Sequence, residues 1–258
     1  MIEKLKFPTG LYWSYWGYLY TPDVVSGKLP LVIFAHGLGE TGNADGSQVQ
    51  KLNTNGPFAF LTKGWKPNFL ALAMQAPTSA AWSISPESIE YVLKNDPNVK
   101  KNWDGKNVLI TGLSAGGAVV IQYAKKYNKA DYAYIPMSPV DRWVDNKAPL
   151  GKYWFFTGTN DVMSPKQMSV DMVNQVKAVG QEGILSTPFT GHGPWNPSYD
   201  PTYKDSATGK NIYDWWLSTA TTPPVEPPVP TVYKLIVKDS SGATLLQKDV
   251  TTNINIVI

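Results

Sequence analysis

A doubly wound α/β domain built on a mostly parallel sheet is the fold class this sequence predicts, on three observations. Short apolar runs rich in β-branched residues alternate along the chain with segments of helical periodicity. One of those runs passes through a glycine-flanked serine turn straight into a helix. The alternation stops abruptly at a proline-rich stretch, Thr221 to Pro230.

Taken in order, Leu11 to Tyr20 is crowded with Tyr and Trp, which favour half-buried β structure, and is expected to form early strands. Leu31 to Ala35 is an apolar run that suits a central parallel strand ending at His36-Gly37. Asn68 to Ala76 is another, stopped by Pro77. Ser85-Pro86-Glu87 opens a helix through about Asn95, with Ser85 as N-cap and Pro86 at the first helical position. Asn107 to Leu113 is the strand before the serine turn, and Ala118 to Ala124 carries helical spacing after it. Asp131 to Met137 and Lys152 to Thr157 are further strands. Ser164-Pro165 is expected to cap a helix running to about Val179 and closed by Gly180. Ile184 to Phe189 completes the strands and Ile212 to Thr219 the helices.

These elements assign residues 1–220 to one catalytic domain. Residues 221–230 are a semi-rigid extended linker, because consecutive prolines hold the chain near polyproline II. Residues 231–258 contain two strands, Val232 to Val237 and Ala243 to Gln247, and a third beginning at Thr251. That length is short for an independent sandwich, so a partial β module or a docked hairpin is expected.

Composition narrows the function. The 258 residues carry 23 basic and 20 acidic side chains, a net charge of +3, too balanced to predict a nucleic acid or an anionic membrane as partner. No apolar run reaches membrane-spanning length, so no membrane insertion is expected. With no cysteine, thiol nucleophiles and thiolate metal sites are excluded. The chain has two histidines, so differently placed that they make a poor ligand set, and no metal or other cofactor is expected.

The serine turn is Gly112-Leu113-Ser114-Ala115-Gly116. The pattern Gly-x-Ser-x-Gly puts a serine on a sharp strand-to-helix turn, its hydroxyl above the sheet edge, with glycines letting strand and helix approach. Chance would give roughly 0.1 such matches in a chain of this length, so the flanking strand and helix carry the argument. A serine nucleophile needs a base, and the base an orienting carboxylate. His192, in Thr190-Gly191-His192-Gly193-Pro194-Trp195 after the last predicted strand, is the expected base. Asp161, in the turn after Lys152 to Thr157, is the favoured acid; Asp141 and Asp145 compete, and Asp131 and Asp171 fit worse. Of two backbone donors for an oxyanion, Ala115 N–H follows from the elbow. The other is expected in His36-Gly37-Leu38-Gly39, with Leu38 preferred and Gly37 and Gly39 as alternatives. His36 itself is expected to shape that loop.

His36-Gly37-Leu38-Gly39-Glu40-Thr41-Gly42 resembles the His-Gly-Leu-Gly-acid-Thr-Gly loop of the phospholipase/carboxylesterase branch of the α/β-hydrolases. The elbow Gly-Leu-Ser-Ala-Gly-Gly and the late Gly-His-Gly-Pro-Trp are similar to the secreted polyhydroxybutyrate-depolymerase and feruloyl-esterase-like groups. The resemblance runs from about Leu11 to Thr219, and in the first group it assigns the oxyanion donors to Leu38 and Ala115. Ala115 stands where that group usually has Gln, which draws the match toward the second. The resemblance implies an α/β-hydrolase fold and a serine esterase.

The interval from Gly117 to Asp161 is filled by one helix and two strands, leaving no room for a large cap domain. An open site suits bulky or polymeric esters, of polysaccharide or polyester, as well as short acyl and aryl esters. Trp82 and Trp195, with Gly37, are the expected substrate contacts, against the alternative that the aromatics only pack. Thioesterase or peptidase action by the same three residues, and a non-catalytic binding module, are the competing functions. The N-terminus lacks the apolar region of a signal peptide, which fits a cytoplasmic protein or a leader already removed. The proline-rich linker and β appendage favour secretion.

Overall fold

The computed structural model describes residues 1–10, 14–78, 81–143, 147–193, 195–219, 233–238, 241 and 244–250. The chain divides into two compact units, Met1–Pro223 and Pro224–Ile258.

The first unit opens with an antiparallel hairpin, β1 (Ile2–Pro8) and β2 (Ser14–Tyr20), paired from Ile2 with Tyr20 to Pro8 with Ser14. The aromatic segment thus holds one strand of this pair, and its partner comes from the residues before it. Then follow β3 (Leu29–Ala35), α1 (Phe58–Leu61), β4 (Leu70–Gln75), α2 (Pro86–Asn95) and α3 (Pro97–Asn102). β5 (Trp103–Leu113), α4 (Ala115–Tyr127), β6 (Ala133–Met137), β7 (Lys152–Phe156), α5 (Lys166–Ala178), β8 (Gly183–Ser186), α6 (Asn196–Tyr199) and α7 (Ile212–Thr219) complete it.

The strands make one eight-stranded sheet in the order β1-β2-β4-β3-β5-β6-β7-β8. β2 runs antiparallel to β4, and every pairing from β4 to β8 is parallel. The central strands are apolar throughout because both faces are covered. Leu31, Ile33, Leu72, Val108 and Ile110 face a core completed by Ile89, Val92, Val120, Tyr123 and Val173 from α2, α4 and α5. Val32, Phe34, Ala71, Leu109 and Ile135 face the other, closed by Phe58, Ile212, Tyr213 and Trp216 from α1 and α7.

Ser85 caps α2 as expected, accepting the Ser88 N–H at 3.2 Å. Ser164 does not cap α5. Its N–H donates to the Asp161 carboxylate at 2.9 Å, and the helix starts at Lys166 after an extended Pro165. The last strand ends at Ser186, short of Phe189. In the second unit β9 (Tyr233–Lys238) and β10 (Thr244–Val250) pair antiparallel. The linker at 221–230 and the third strand expected from Thr251 lie outside the described residues.

Candidate active site

β3 and β5 are neighbours, and the chain runs from β3 to β4 on one side and from β5 to β6 on the other, so the strand order reverses between them, where a crevice is expected at the strand ends. Ala35, the last residue of β3, pairs with Gly112 of β5, which sets the His36–Gly42 loop beside the serine turn.

At that turn Ser114 has φ 53° and ψ −117°, the left-handed region that a non-glycine residue enters only under strain. The strain is sustained because Ser114 N–H donates to Met137 O at 2.9 Å and Ala118 N–H to Ser114 O at 3.1 Å, fixing both ends of the turn. The two glycines are sterically required. A β-carbon at Gly112 would stand 2.5 Å from Gly116 O, and one at Gly116 would overlap Ala35 O.

Ser114 Oγ lies 2.9 Å from His192 Nε2. His192 Nδ1 lies 2.9 and 3.0 Å from the Asp161 carboxylate oxygens. Three residues predicted separately therefore meet in one hydrogen-bonded chain. Asp161 is buried, and its Oδ1 also accepts N–H from Met163 at 3.0 Å and Ser164 at 2.9 Å. Burial raises the Asp161 carboxyl, but the Ser164 amide and the His192 ring outweigh it and hold it below the ordinary carboxylate value. Asp141 is elsewhere, accepting the Gln122 amide at 2.8 Å. Asp145 lies outside the described residues.

His36 is fully buried, its Nδ1 2.7 Å from Gly37 O and its Nε2 accepting Ala76 N–H at 2.9 Å. Donation by one ring nitrogen and acceptance by the other fix the neutral tautomer, and burial pushes its pKa down to about 4. The ring ties the end of β3 to the end of β4 and shapes the loop, as its sequence position suggested.

Gly37 is an expected substrate contact and an alternative oxyanion donor. Its N–H is instead taken by the Glu40 carboxylate at 2.9 Å, and a β-carbon there would meet Leu113 Cδ1 at 2.6 Å. Gly37 thus packs on the elbow, and that donor is spent. Leu38 starts a 3-10 turn, Leu38–Glu40, and Ala115 starts α4. First-turn N–H groups have no carbonyl partner within their own helix, so neither amide is used inside its helix.

Trp82 is 67% exposed and borders an open cleft of about 560 Å³. The cleft begins at Ala115 and follows α4 past Ala118 and Val119 to Gln122 and Lys126. Trp195 behaves differently: half-buried, it stands edge-on to the His192 ring with centroids 5.4 Å apart and packs on the core. The sequence reading missed the exposed apolar side chains of Leu38, Val162 and Met163, which flank Gly37 and Asp161 in the chain. It named Glu40 only as the acid of the resembling loop and gave it no role. The physical signal for a role was a carboxylate three residues after a loop glycine, a spacing that lets an acid reach back to a free N–H.

Among the described residues no three His, Asp or Glu side chains gather as a metal site, and no helix is long and apolar enough to cross a membrane. The eight-stranded sheet, its order and the serine turn at its switch point define the architecture. The fold is that of the α/β-hydrolases.

Solved α/β-hydrolases align over most of the chain. A thermostable esterase matches with TM-score 0.59 and 20% identity over 84% of this chain and 62% of its own, so this chain spans under two thirds of that protein. The carboxylesterase Cest-2923 from Lactobacillus plantarum WCFS1 gives TM-score 0.54 at 14% identity, covering 84% of this chain and 92% of its own. A truncated carbohydrate esterase from gut microbiota gives TM-score 0.54 at 15% identity, covering 79% and 90%. No protein-family model matches the chain, and no curated protein does.

Proposed function

We propose that the protein is a serine carboxylic-ester hydrolase acting through an acyl-enzyme on Ser114. The observation that carries this reading is the continuous Ser114–His192–Asp161 chain, with contacts of 2.9 to 3.0 Å, on a strained elbow. His192 Nε2 takes the proton as Ser114 Oγ attacks the ester carbonyl, and the carbonyl oxygen becomes an oxyanion facing the Leu38 and Ala115 N–H groups. Asp161 keeps the His192 proton on Nδ1 and stabilises the imidazolium. Collapse expels the alcohol with the proton from Nε2. Water, deprotonated by the same nitrogen, then releases the acid.

The cleft beside Trp82 and the exposed Leu38, Val162 and Met163 support a bulky substrate, with an aryl, acyl or polymer-linked group resting on the open rim. The esterase and carbohydrate-esterase names among proteins of similar fold agree with this chemistry.

The test is hydrolysis of p-nitrophenyl acetate, butyrate and octanoate by the wild type, Ser114→Ala and Asp161→Asn. The expected result is an initial burst and turnover in the wild type, no burst in Ser114→Ala, and kcat about 10³- to 10⁴-fold lower in Asp161→Asn. A wild type no faster than Ser114→Ala on all three esters overturns the proposal.

A further inference from the structure

Glu40 is a buried ionisable group, next to the serine turn, that the chemistry above leaves unused. It is only 4% exposed, and among the described residues no lysine or arginine pairs with its carboxylate. Its two oxygens are divided between two donors: Oε2 accepts Gly37 N–H at 2.9 Å, and Oε1 accepts the Asn55 side-chain amide. A carboxylate can serve two such donors at once, whereas a glutamine offers one acceptor oxygen and one amino group. The Glu40 carbonyl accepts the Gln75 amide at 2.8 Å, so the residue is held at its backbone as well.

Asn55 leads on to the histidine loop. Its neighbour Gly56 donates N–H to Asn196 Oδ1 at 3.2 Å, and Asn196 Nδ2 returns a hydrogen bond to Thr54 O at 3.0 Å. Asn196 follows Trp195, whose ring stands against His192. A polar path therefore runs from Gly37, through Glu40 and the 54–56 turn, to the loop that carries His192.

We propose that Glu40 is a positioning residue for the oxyanion hole: by occupying Gly37 N–H and gripping Asn55, it turns the 37–39 backbone so that Leu38 N–H faces Ser114, and it keeps this loop in register with the His192 loop. The inference rests on the serine-hydrolase reading of the site. Without the carboxylate, Gly37 N–H is left without its acceptor, and the loop relaxes away from the position the oxyanion needs.

The experiment compares wild type with Glu40→Ala, Glu40→Gln, the double variant Glu40→Gln/Asn55→Asp, and Val99→Ala as a remote core control. Three quantities are read: kcat and KM on p-nitrophenyl acetate, and affinity for an alkyl trifluoromethyl ketone. Ser114 Oγ adds to the ketone carbon, the hydroxyl proton passes to His192, and the ketone oxygen becomes an oxyanion.

Loss of a well-placed donor lowers kcat steeply, so Glu40→Ala is expected to lose about 10- to 100-fold in kcat with KM little changed. Ketone affinity falls by the same factor. Glu40→Gln loses less, and the double variant recovers more, because its glutamine keeps an acceptor for Gly37 and donates to the new carboxylate. Val99→Ala loses melting temperature while holding kcat. If Glu40→Ala does not fold, the Glu40→Gln deficit and its rescue by Asn55→Asp decide the matter. Wild-type kcat and ketone affinity in a folded Glu40→Ala, an equal kcat loss in Val99→Ala, or no rescue in the double variant overturns the role. A wild type inert to both ester and ketone instead removes the hydrolase reading, and this role with it.

Discussion

The backbone of Gly116 packs directly on that of Ala35: a β-carbon at position 116 would overlap the Ala35 carbonyl oxygen and come within 2.5 Å of its carbonyl carbon. This close approach of α4 to β3 brings the Ser114 turn alongside the His36–Gly42 loop. It also makes the elbow sensitive to one methyl group.

Gly116→Ala is therefore expected to cost about 1–3 kcal/mol in denaturant unfolding, as overpacking of rigid backbone does. Because the methyl pushes the helix start away from Ala35, kcat falls with it. A Gly116→Ala protein with wild-type stability and turnover would show that the contact is soft.

His36 links folding to pH. Its pKa in the folded protein is held at about 4 by burial, against 6.5 when exposed, so protonation favours the unfolded chain. The stability contributed by the neutral ring is complete above about pH 6.5 and is lost as pH falls toward 4, roughly 3 kcal/mol in all. His36→Gln removes the titration while keeping one donor and one acceptor, so its stability is expected to change less across that window. Asp161 acts alike in both proteins: burial raises its carboxyl, the Ser164 amide and the His192 ring lower it by more, and its stabilising effect is lost as pH falls through and below the ordinary carboxylate range. Urea unfolding of both proteins at pH 4, 5, 6 and 7 measures this. Parallel curves would exclude His36 as the source.

Trp82, at 67% exposure, contributes little to folding, so Trp82→Ala should stay within about 0.5 kcal/mol of wild-type stability. If the ring supports the bulky part of an ester, the variant raises KM for naphthyl esters several-fold and leaves p-nitrophenyl acetate nearly unchanged. Equal KM values on both substrates would assign Trp82 no contact with the bulky group.

Much of the site could be read from the chain because the signals are local. Gly-x-Ser-x-Gly between a strand and a helix reports a turn whose geometry is set within five residues. The scarcity of histidine then pointed to His192. The choice of Asp161 over Asp141 and Asp145 followed from loop position alone, since which loop comes to rest beside His192 is a matter of strand order. β1 escaped notice because an edge strand with Lys and Glu turned outward lacks the clean alternation of a half-buried one. Ser164 misled for a related reason: its local pattern suited a helix cap, but the nearby Asp161 carboxylate takes its N–H.

By itself, the sequence determined the succession of the central strands and of the longer helices α2, α4, α5 and α7, the serine turn and the candidate base, because hydrophobic period and turn chemistry act over a few residues. Tertiary structure alone decided that Gly37 N–H goes to Glu40, that Trp195 braces His192 while Trp82 stays open, and that Asn196 reaches the 54–56 turn. The Gly56–Asn196 contact spans 140 positions. No local pattern encodes such pairs; they follow from the order in which the parallel strands stack and the loops that this order sets side by side.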